Sequence, residues 1–375
     1  MLLSAAMIVR DEAEHLDACL TSLDGLVDEV VVVDTGSVDD SLDIARRHGA
    51  VTAREPWQGE FSAPRNRSLD LASGEWILYI DADERVRVAD NDAVRSSLSQ
   101  DDEHGAFRVR FVPRVGWTPY YECRLWRNAP DLRFRGIIHE TLLSSLYARA
   151  DRDGLIITDS DLITIEHLGY EGDQSQKHER NEAMLLAALD EWPERIFYYD
   201  HLARIYEDRG EADRAVAMWK RGIAVVQSRQ VPQHDDRLVW IDLIVHELAA
   251  GRINAELADL VAEGLERFPN VPALELAAAV HEFATGRPRL AIPRLEWLLA
   301  LDLEDVVATG SSYDERVFGE WAWHLLGLCR FALGEGPGAA DAFGRAAACV
   351  PHKTEYVVKR RLAEGWTRAA TSPCT

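Results

Sequence analysis

Short apolar runs alternate with amphipathic stretches along the first third of the chain. The runs of strand length are residues 4–9, 29–33, a short segment from residue 51, and 76–80. Between them, leucines at helical spacing and polar turns that can cap a helix predict helices over residues 14–26, 41–48 and 65–72. This alternation is typical of a doubly wound α/β sheet, which binds ligands at the carboxyl ends of its strands.

The pattern changes twice further along. Strand-like segments with Gly, Pro and aromatic punctuation at residues 106–112, 121–126 and 155–166 predict a smaller mixed-sheet portion. From about residue 175 to 370 the pattern is helical. Three segments, residues 198–225, 273–301 and 320–350, each show a helix, a glycine turn and an Ala-rich helix. We therefore predict an all-α domain resembling tetratricopeptide (TPR) repeats over residues 173–375, suited to acceptor binding or dimerisation, after a first domain at 1–172.

Composition narrows the functional classes. The 375 residues are 47% hydrophobic with a net charge of −23, which argues against broad binding to nucleic acid or anionic membranes. Five scattered cysteines are expected in a reducing compartment, and no apolar run approaches the ~20 residues of a membrane span. The opening apolar run lacks a basic start and predicts a strand rather than a signal peptide. We expect a cytoplasmic protein.

Polar clusters follow three of the predicted strands. They are Arg10-Asp11-Glu12, Asp34-Thr35-Gly36-Ser37 and Asp81-Ala82-Asp83. Carboxylates spaced one residue apart suit a hard cation such as Mg²⁺, which takes its remaining ligands from phosphate and water. A solvated turn would explain an isolated Asp-x-Asp equally well. Three clusters meeting at one sheet edge instead favour a crevice for a nucleotide diphosphate.

Six ordered segments resemble the family 2 glycosyltransferases of the GT-A fold, a Rossmann-like fold of nucleotide-diphospho-sugar transferases. They are AMIVRDE (6–12), VDTGSVDDS (33–41), FSAPRN (61–66), IDADE (80–84), CRLWRN (123–128) and FRGIIHE (134–140). The last two resemble the acceptor-side part of this family. The resemblance covers about the first 170 residues. One departure is Pro64, which the first turn of a helix tolerates.

The resemblance implies a role for each matched residue. Asp83 would bind Mg²⁺ or Mn²⁺ on the donor diphosphate, and Asp34 would contact the base or ribose. Asp81 would contact hydroxyls of the ribose or donor sugar, and Arg65 the diphosphate or donor sugar. The other predicted nucleotide-sugar contacts are Val9, Arg10, Glu12, Gly36, Ser37 and Ala82.

The catalytic base that the resemblance implies is Glu140, just before a predicted helix, where direct displacement inverts the anomeric carbon. A carboxylate that only favours the helix start is the alternative. His167 is the expected second metal ligand, with His139 as the other candidate. Trp57 and Trp126 are candidates to stack on sugar or base, although aromatic residues in sheet proteins more often belong to the core.

These observations favour a metal-dependent inverting glycosyltransferase that uses a nucleotide-sugar donor, with a UDP-sugar expected. A helical-repeat tail makes the chain similar to the peptide glycosyltransferases that modify bacteriocin precursors, so a peptide or protein acceptor is one alternative. A saccharide, lipopolysaccharide or small-metabolite acceptor is another. A homodimer through the helical tail is also open.

The sequence argues against two other functions. A nucleotidyltransferase would show a Gly-rich basic loop after its first strand, and residues 8–12 do not form one. A non-catalytic helical-repeat scaffold with a degenerate first domain would have lost the acidic residues, yet Asp81, Asp83 and Glu140 are present.

Overall fold

The computed structural model describes residues 1–168 and 175–371. The chain forms two compact units. The first contains Met1–Glu191 and Val306–Ser312, and the second contains Trp192–Asp305 and Tyr313–Thr375. The boundary predicted between residues 172 and 173 lies outside the described residues and stays a prediction.

The first unit is built on one eight-stranded mixed sheet with the order β3-β2-β1-β4-β7-β6-β8-β5. The strands are β1 Leu3–Val9, β2 Glu29–Asp34, β3 Val51–Arg54, β4 Trp76–Tyr79, β5 Glu84–Arg87, β6 His104–Val112, β7 Tyr120–Arg127 and β8 Ile156–His167. The first four are mutually parallel, and β7 joins them antiparallel to β4. The predicted mixed-sheet portion therefore continues the same sheet.

The helices of this unit lie between strands, apart from the last, which follows β8. They are α1 Ala13–Thr21, α2 Ser41–Arg47, α3 Ser62–Leu71, α4 Asn91–Gln100, α5 Leu143–Asp153 and α6 Ser175–Glu191. The apolar face of α1 packs on the β1 side of the sheet through Leu16 and Leu20. This helix ends five residues before its predicted end, and Leu23 and Leu26 reach the core from the turn that follows.

Two elements of the first unit, β5 and α4, were not predicted, because they are rich in charged or polar residues. In β5 the sequence Glu-Arg-Val-Arg lacks an apolar run, yet Glu84 and Arg85 are buried. The helix α4 is mostly polar, and its N-cap is Asp90, whose side chain accepts hydrogen bonds from the N–H groups of Asp92 and Ala93. Neither element has enough apolar residues to be predicted from hydrophobic periodicity.

The second unit consists of helices, as predicted. Its helices are α7 Ile196–Asp208, α8 Ala212–Gln227, α9 Leu238–Ala249, α10 Ala255–Arg267, α11 Pro272–Ala284, α12 Pro288–Ala300, α14 Glu320–Ala332, α15 Gly336–Cys349 and α16 Thr354–Thr371. The short helix α13 Leu303–Val307 has residues in each unit. The pairs α7/α8, α11/α12 and α14/α15 turn at glycines with φ of 76°, 75° and 78°. No described helix has both the length and the apolar character needed to span a membrane.

Gly327 in α14 marks a close helix contact that can be tested. A Cβ atom there would lie 2.6 Å from ring atoms of Phe343 on α15. We expect Gly327→Ala to lower the stability of the helical unit by about 1–2 kcal/mol, because overpacking outweighs the gain in helix propensity. Thermal unfolding followed by calorimetry measures this. Gly365→Ala in α16, where the added Cβ meets nothing within 4 Å, is the control and should not destabilise. Equal shifts for both variants would contradict the expectation.

Candidate active site

The loops after β1 and β2 are joined side by side at the carboxyl edge of the sheet. Ser37 Oγ accepts the N–H of Asp11 at 3.0 Å, and Asp11 Oδ1 accepts the N–H of Val38 at 2.8 Å. The N–H of Glu12 donates to Ser41 Oγ at 2.7 Å. These bonds place the predicted cradle residues, 9–12 and 36–37, along one continuous rim.

Asp34 ends β2 within this rim and is almost fully buried, with 1% exposure. Its Oδ1 accepts the N–H of Ser37 at 2.9 Å. Its Oδ2 lies 3.5 Å from Arg54 Nε but accepts no hydrogen bond from any described residue. A buried carboxylate oxygen without a donor carries a desolvation cost that a ligand hydroxyl or N–H group would offset. Trp57 lies close by, since its backbone N–H donates to the carbonyl of Thr35 at 3.3 Å.

Asp81 follows β4 and is held by two side chains. Arg65 Nη1 donates to Asp81 Oδ1, and the Tyr79 hydroxyl donates to Asp81 Oδ2, both at 3.0 Å. Burial raises the pKa of the Asp81 carboxyl, but the charges of Arg65 and Arg124 and the hydrogen bonds from Arg65 and Tyr79 together outweigh it and hold this pKa below its ordinary value. Asp81 is therefore a fixed anion, and about a third of its side chain is exposed.

Arg65 joins Asp81 to Glu140. Its Nε donates to the Glu140 carboxylate, and its guanidinium lies 4.3 Å from the centre of the Tyr79 ring. Arg65 comes from α3, where Pro64 occupies the first turn as expected. Because the buried Arg65 side chain already contacts both carboxylates, the structure gives it an organising position, while its predicted contact with the donor stays a prediction.

Glu140 lies before α5, whose N-cap is Leu142 and whose first turn contains no acidic residue. Its carboxylate, only 7% exposed, is turned to Arg65 rather than to the helix end. The helix-start interpretation therefore does not describe this side chain. Glu140, the predicted base, and Asp81 are both bound by Arg65.

Asp83 immediately precedes β5, His167 ends β8, and their side chains face each other. His167 Nε2 lies 3.0 Å from Asp83 Oδ2, and its Nδ1 donates to the carbonyl of Pro113 at 2.9 Å. The hydrogen bond with Asp83 raises the pKa of His167 to about 9. The carbonyl fixes the proton on Nδ1, so Nε2 is the nitrogen that points at Asp83, an orientation typical of histidine metal ligands.

The structure also tests the remaining candidates. Trp126 is 1% exposed and packs against Phe134 and Tyr79, so it belongs to the core and does not stack on a ligand. His139 has a left-handed φ of 51° in the turn before Glu140. In the described part of the chain, no cluster of three or more His, Cys, Asp or Glu side chains could hold a metal. Asp83 and His167 thus form a pair, not a full cage.

Two buried charged residues beside the site were missed from the sequence. Glu84 accepts the N–H of Asp81 at 2.8 Å, and Arg124 donates to Glu84 at 2.9 Å. Burial raises the pKa of Glu84 to about 7, although Arg124 opposes the shift. Both lie within motifs identified above, IDADE and CRLWRN, so their positions were marked, but their pairing depends on the sheet.

Part of the chain matches a known protein family. Residues 4–145 match the model of glycosyl transferase family 2. A TPR repeat-containing protein of Synechococcus elongatus is 36% identical over 225 residues, which are 59% of this chain and 56% of that protein. An uncharacterised glycosyltransferase of Rickettsia felis is 28% identical over 161 residues, 40% of this chain and 56% of that protein.

A third relative is the SPbeta prophage-derived glycosyltransferase SunS of Bacillus subtilis, 34% identical over 83 residues, which are 22% of this chain and 20% of SunS.

The chain spans little more than half the length of the first two relatives. The predicted family and fold class are confirmed. The chain carries a family 2 glycosyltransferase domain at residues 4–145, followed by a region of helix pairs that resemble TPR repeats.

Proposed function

We propose that this protein is a metal-dependent inverting glycosyltransferase that moves a sugar from a nucleotide diphosphate, a UDP-sugar, to an acceptor. One observation carries the proposal. Arg65 joins the predicted donor carboxylate Asp81 to the predicted base Glu140, at the sheet edge that also holds Asp83 and His167. Asp81, Asp83, Arg65 and Glu140 all lie within the family 2 match at residues 4–145, and His167 follows it, which supports donor binding and acceptor activation at one site.

Donor binding begins at Asp34. Its Oδ2, which accepts no hydrogen bond from a described residue, suits an N–H of the base or a hydroxyl of the ribose. The rim formed by residues 9–12 and 36–37 would line the nucleotide beside it. Asp81, held by Arg65 and Tyr79, is oriented to accept hydrogen bonds from hydroxyl groups of the donor.

Asp83 and His167 fit a divalent cation. They supply a carboxylate oxygen and an imidazole nitrogen already directed at one another, and two protein ligands suffice where phosphate and water complete the coordination. Bound Mg²⁺ or Mn²⁺ would supply Lewis-acid stabilisation of the leaving diphosphate. The choice between the two ions does not follow from this pair.

Glu140 would act on the acceptor. Its carboxylate takes the proton of the attacking group as that group bonds to the anomeric carbon, while the bond from this carbon to the diphosphate breaks and UDP leaves. A single displacement inverts the configuration. Arg65 contributes by holding the Glu140 carboxylate in place, since an oriented base needs less rearrangement to reach the transition state.

For the acceptor we propose a peptide or protein. The support is the sequence resemblance to peptide glycosyltransferases together with the TPR-type helical region, since stacked helix pairs form extended binding surfaces. Within the same proposal, the helical region binds the acceptor.

Titration calorimetry with UDP, GDP and CDP-ribitol, each with and without Mn²⁺, tests the proposal. We expect UDP to bind tightly only with Mn²⁺, because a cation held by Asp83 and His167 would offset the negative charge of the diphosphate. Incubation with UDP-sugars and candidate peptides, followed by mass spectrometry, then tests transfer. Absence of any metal-dependent nucleotide binding would contradict the proposed function.

A further inference from the structure

Arg124 is a buried cation in the middle of β7, with 6% exposure. Its Nη2 donates to Glu84 Oε1 at 2.9 Å and its Nη1 to Glu84 Oε2 at 3.3 Å, so the two groups form a bidentate pair. Its Nε lies 3.1 Å from Glu122 Oε2. A second carboxylate therefore lies on the remaining edge of the guanidinium.

Aromatic rings border the same guanidinium. The Arg124 guanidinium carbon lies 4.5 Å from the centre of the Tyr79 ring and 4.9 Å from that of Phe111. A planar group stacked on rings and forked onto a carboxylate is a role that lysine does not reproduce. The site therefore requires arginine rather than only a positive charge.

Glu84 transmits this arrangement to the Asp-x-Asp turn. While bound to Arg124, Glu84 Oε2 accepts the N–H of Asp81 at 2.8 Å. Glu84 is also paired with His167 in the β5–β8 ladder, and the N–H of Leu168 donates to the carbonyl of Asp83 at 3.1 Å. Arg124 is therefore connected through Glu84 to the backbone of Asp81. Glu84 also connects it to the β5–β8 strand pair, beside which Asp83 lies.

Tyr79 gives Arg124 a second connection to Asp81. The ring that Arg124 stacks on carries the hydroxyl that donates to Asp81 Oδ2 at 3.0 Å, and Arg65 covers the same ring at 4.3 Å. The guanidinium groups of Arg65 and Arg124 thus both stack on Tyr79. Arg65 contacts the Asp81 side chain directly, whereas Arg124 acts through Tyr79 and Glu84.

We infer that Arg124 is a positioning residue that sets the orientation of Asp81 and Asp83 from the acceptor-side strand β7. The inference rests on the proposed function. Buried ion pairs are often neutral for stability compared with apolar residues of the same size, so stability alone does not account for this one. Without Arg124, the buried Glu84 carboxylate has lost its bidentate partner, and the bond it makes to the Asp81 backbone is no longer held.

The test compares Arg124→Gln with Arg127→Gln. Arg127 lies on the same strand, 4.5 Å from the centre of the Trp76 ring, and its Nε donates to the carbonyl of His104 at 2.7 Å. It is therefore a partly buried, ring-stacked arginine outside the site. The measurements are turnover of UDP-glucose and UDP-N-acetylglucosamine to free UDP, Mn²⁺ affinity in the presence of UDP, and thermal unfolding.

We expect both variants to unfold at lower temperature, and Arg124→Gln alone to lose about 100-fold in turnover per folded molecule, the size of effect that a misplacement of about 1 Å produces. Its Mn²⁺ affinity in the presence of UDP should fall as well. Arg124→Lys should recover stability more than turnover, because it restores the charge but not the fork.

Wild-type turnover in Arg124→Gln, or equal losses in both glutamine variants, would overturn the inference. If Arg124→Gln does not fold, the double variant Glu84→Gln/Arg124→Met removes both charges together, and full turnover in that protein would also overturn it. A wild-type protein that binds no UDP with Mn²⁺ would instead refute the proposed function, and so the two failures are distinguishable.

Discussion

Asp83→Asn should abolish the Mn²⁺ dependence of UDP binding and lower turnover of a UDP-sugar about 10³-fold. The asparagine keeps the shape of the side chain and an oxygen near His167 Nε2, 3.0 Å away in the native protein, but removes the negative charge. A metal that stabilises the leaving diphosphate contributes several kcal/mol, and each 1.36 kcal/mol is a factor of ten in rate. Calorimetric titration of UDP with and without Mn²⁺ and measurement of UDP release give the two readouts.

Asp101→Asn is the matched control for this change. Asp101 also pairs with a histidine, its Oδ2 lying 2.9 Å from His104 Nδ1, and it is mostly buried. The two substitutions thus make the same chemical change in two Asp–His pairs, of which only one lies at the predicted site. An Asp83→Asn protein that still binds UDP more tightly with Mn²⁺ would contradict the metal assignment.

Glu140→Gln should remove turnover while leaving UDP affinity unchanged. Glutamine keeps an oxygen that can accept the hydrogen bond from Arg65 Nε, but it cannot take the proton of the acceptor. General-base catalysis contributes about 10²–10⁴-fold, so a loss within this range is expected. Steady-state transfer to an acceptor, with UDP affinity measured on the same preparation, separates chemistry from binding.

Glu29→Gln serves as the comparison. Glu29 begins β2, accepts hydrogen bonds from the Ser4 and Ser73 hydroxyls, and lies at the amino end of the sheet, away from the predicted site. Its substitution should change stability but not transfer. If Glu140→Gln transfers sugar at the native rate, another group is the base.

Hydrophobic periodicity was a reliable guide to the first part of the fold. Strands β1, β2 and β4 lie close to the predicted bounds, because strands buried on both faces are apolar along their whole length. The helices between them were also predicted, although α1 ends five residues early. The helix pairs of the second unit that turn at glycines were also predicted from the sequence. Strand β5 was not, since its charged residues are buried through partners distant in sequence.

The residues of the candidate site could be predicted from the sequence, but the contacts between them could not. Local motifs marked Asp34, Asp81, Asp83 and Glu140, because strand ends and turn chemistry are encoded within a few residues. The bond from Arg65 to Glu140 spans 75 positions, that from Arg124 to Glu84 spans 40, and the His167–Asp83 pair spans 84. Spacing within a motif contains no information on such pairs.

By itself, then, the sequence determined the alternation of strands and helices, the family, and the residues at each strand end. Only the tertiary structure decided that Arg65 serves both Asp81 and Glu140, that His167 faces Asp83, and that Trp126 is core. The physical reason is that periodicity and turn preference act over one element, whereas ion pairs and ring contacts depend on strand order. Here β7 lies beside β4 and β5 pairs with β8, which brings these side chains together.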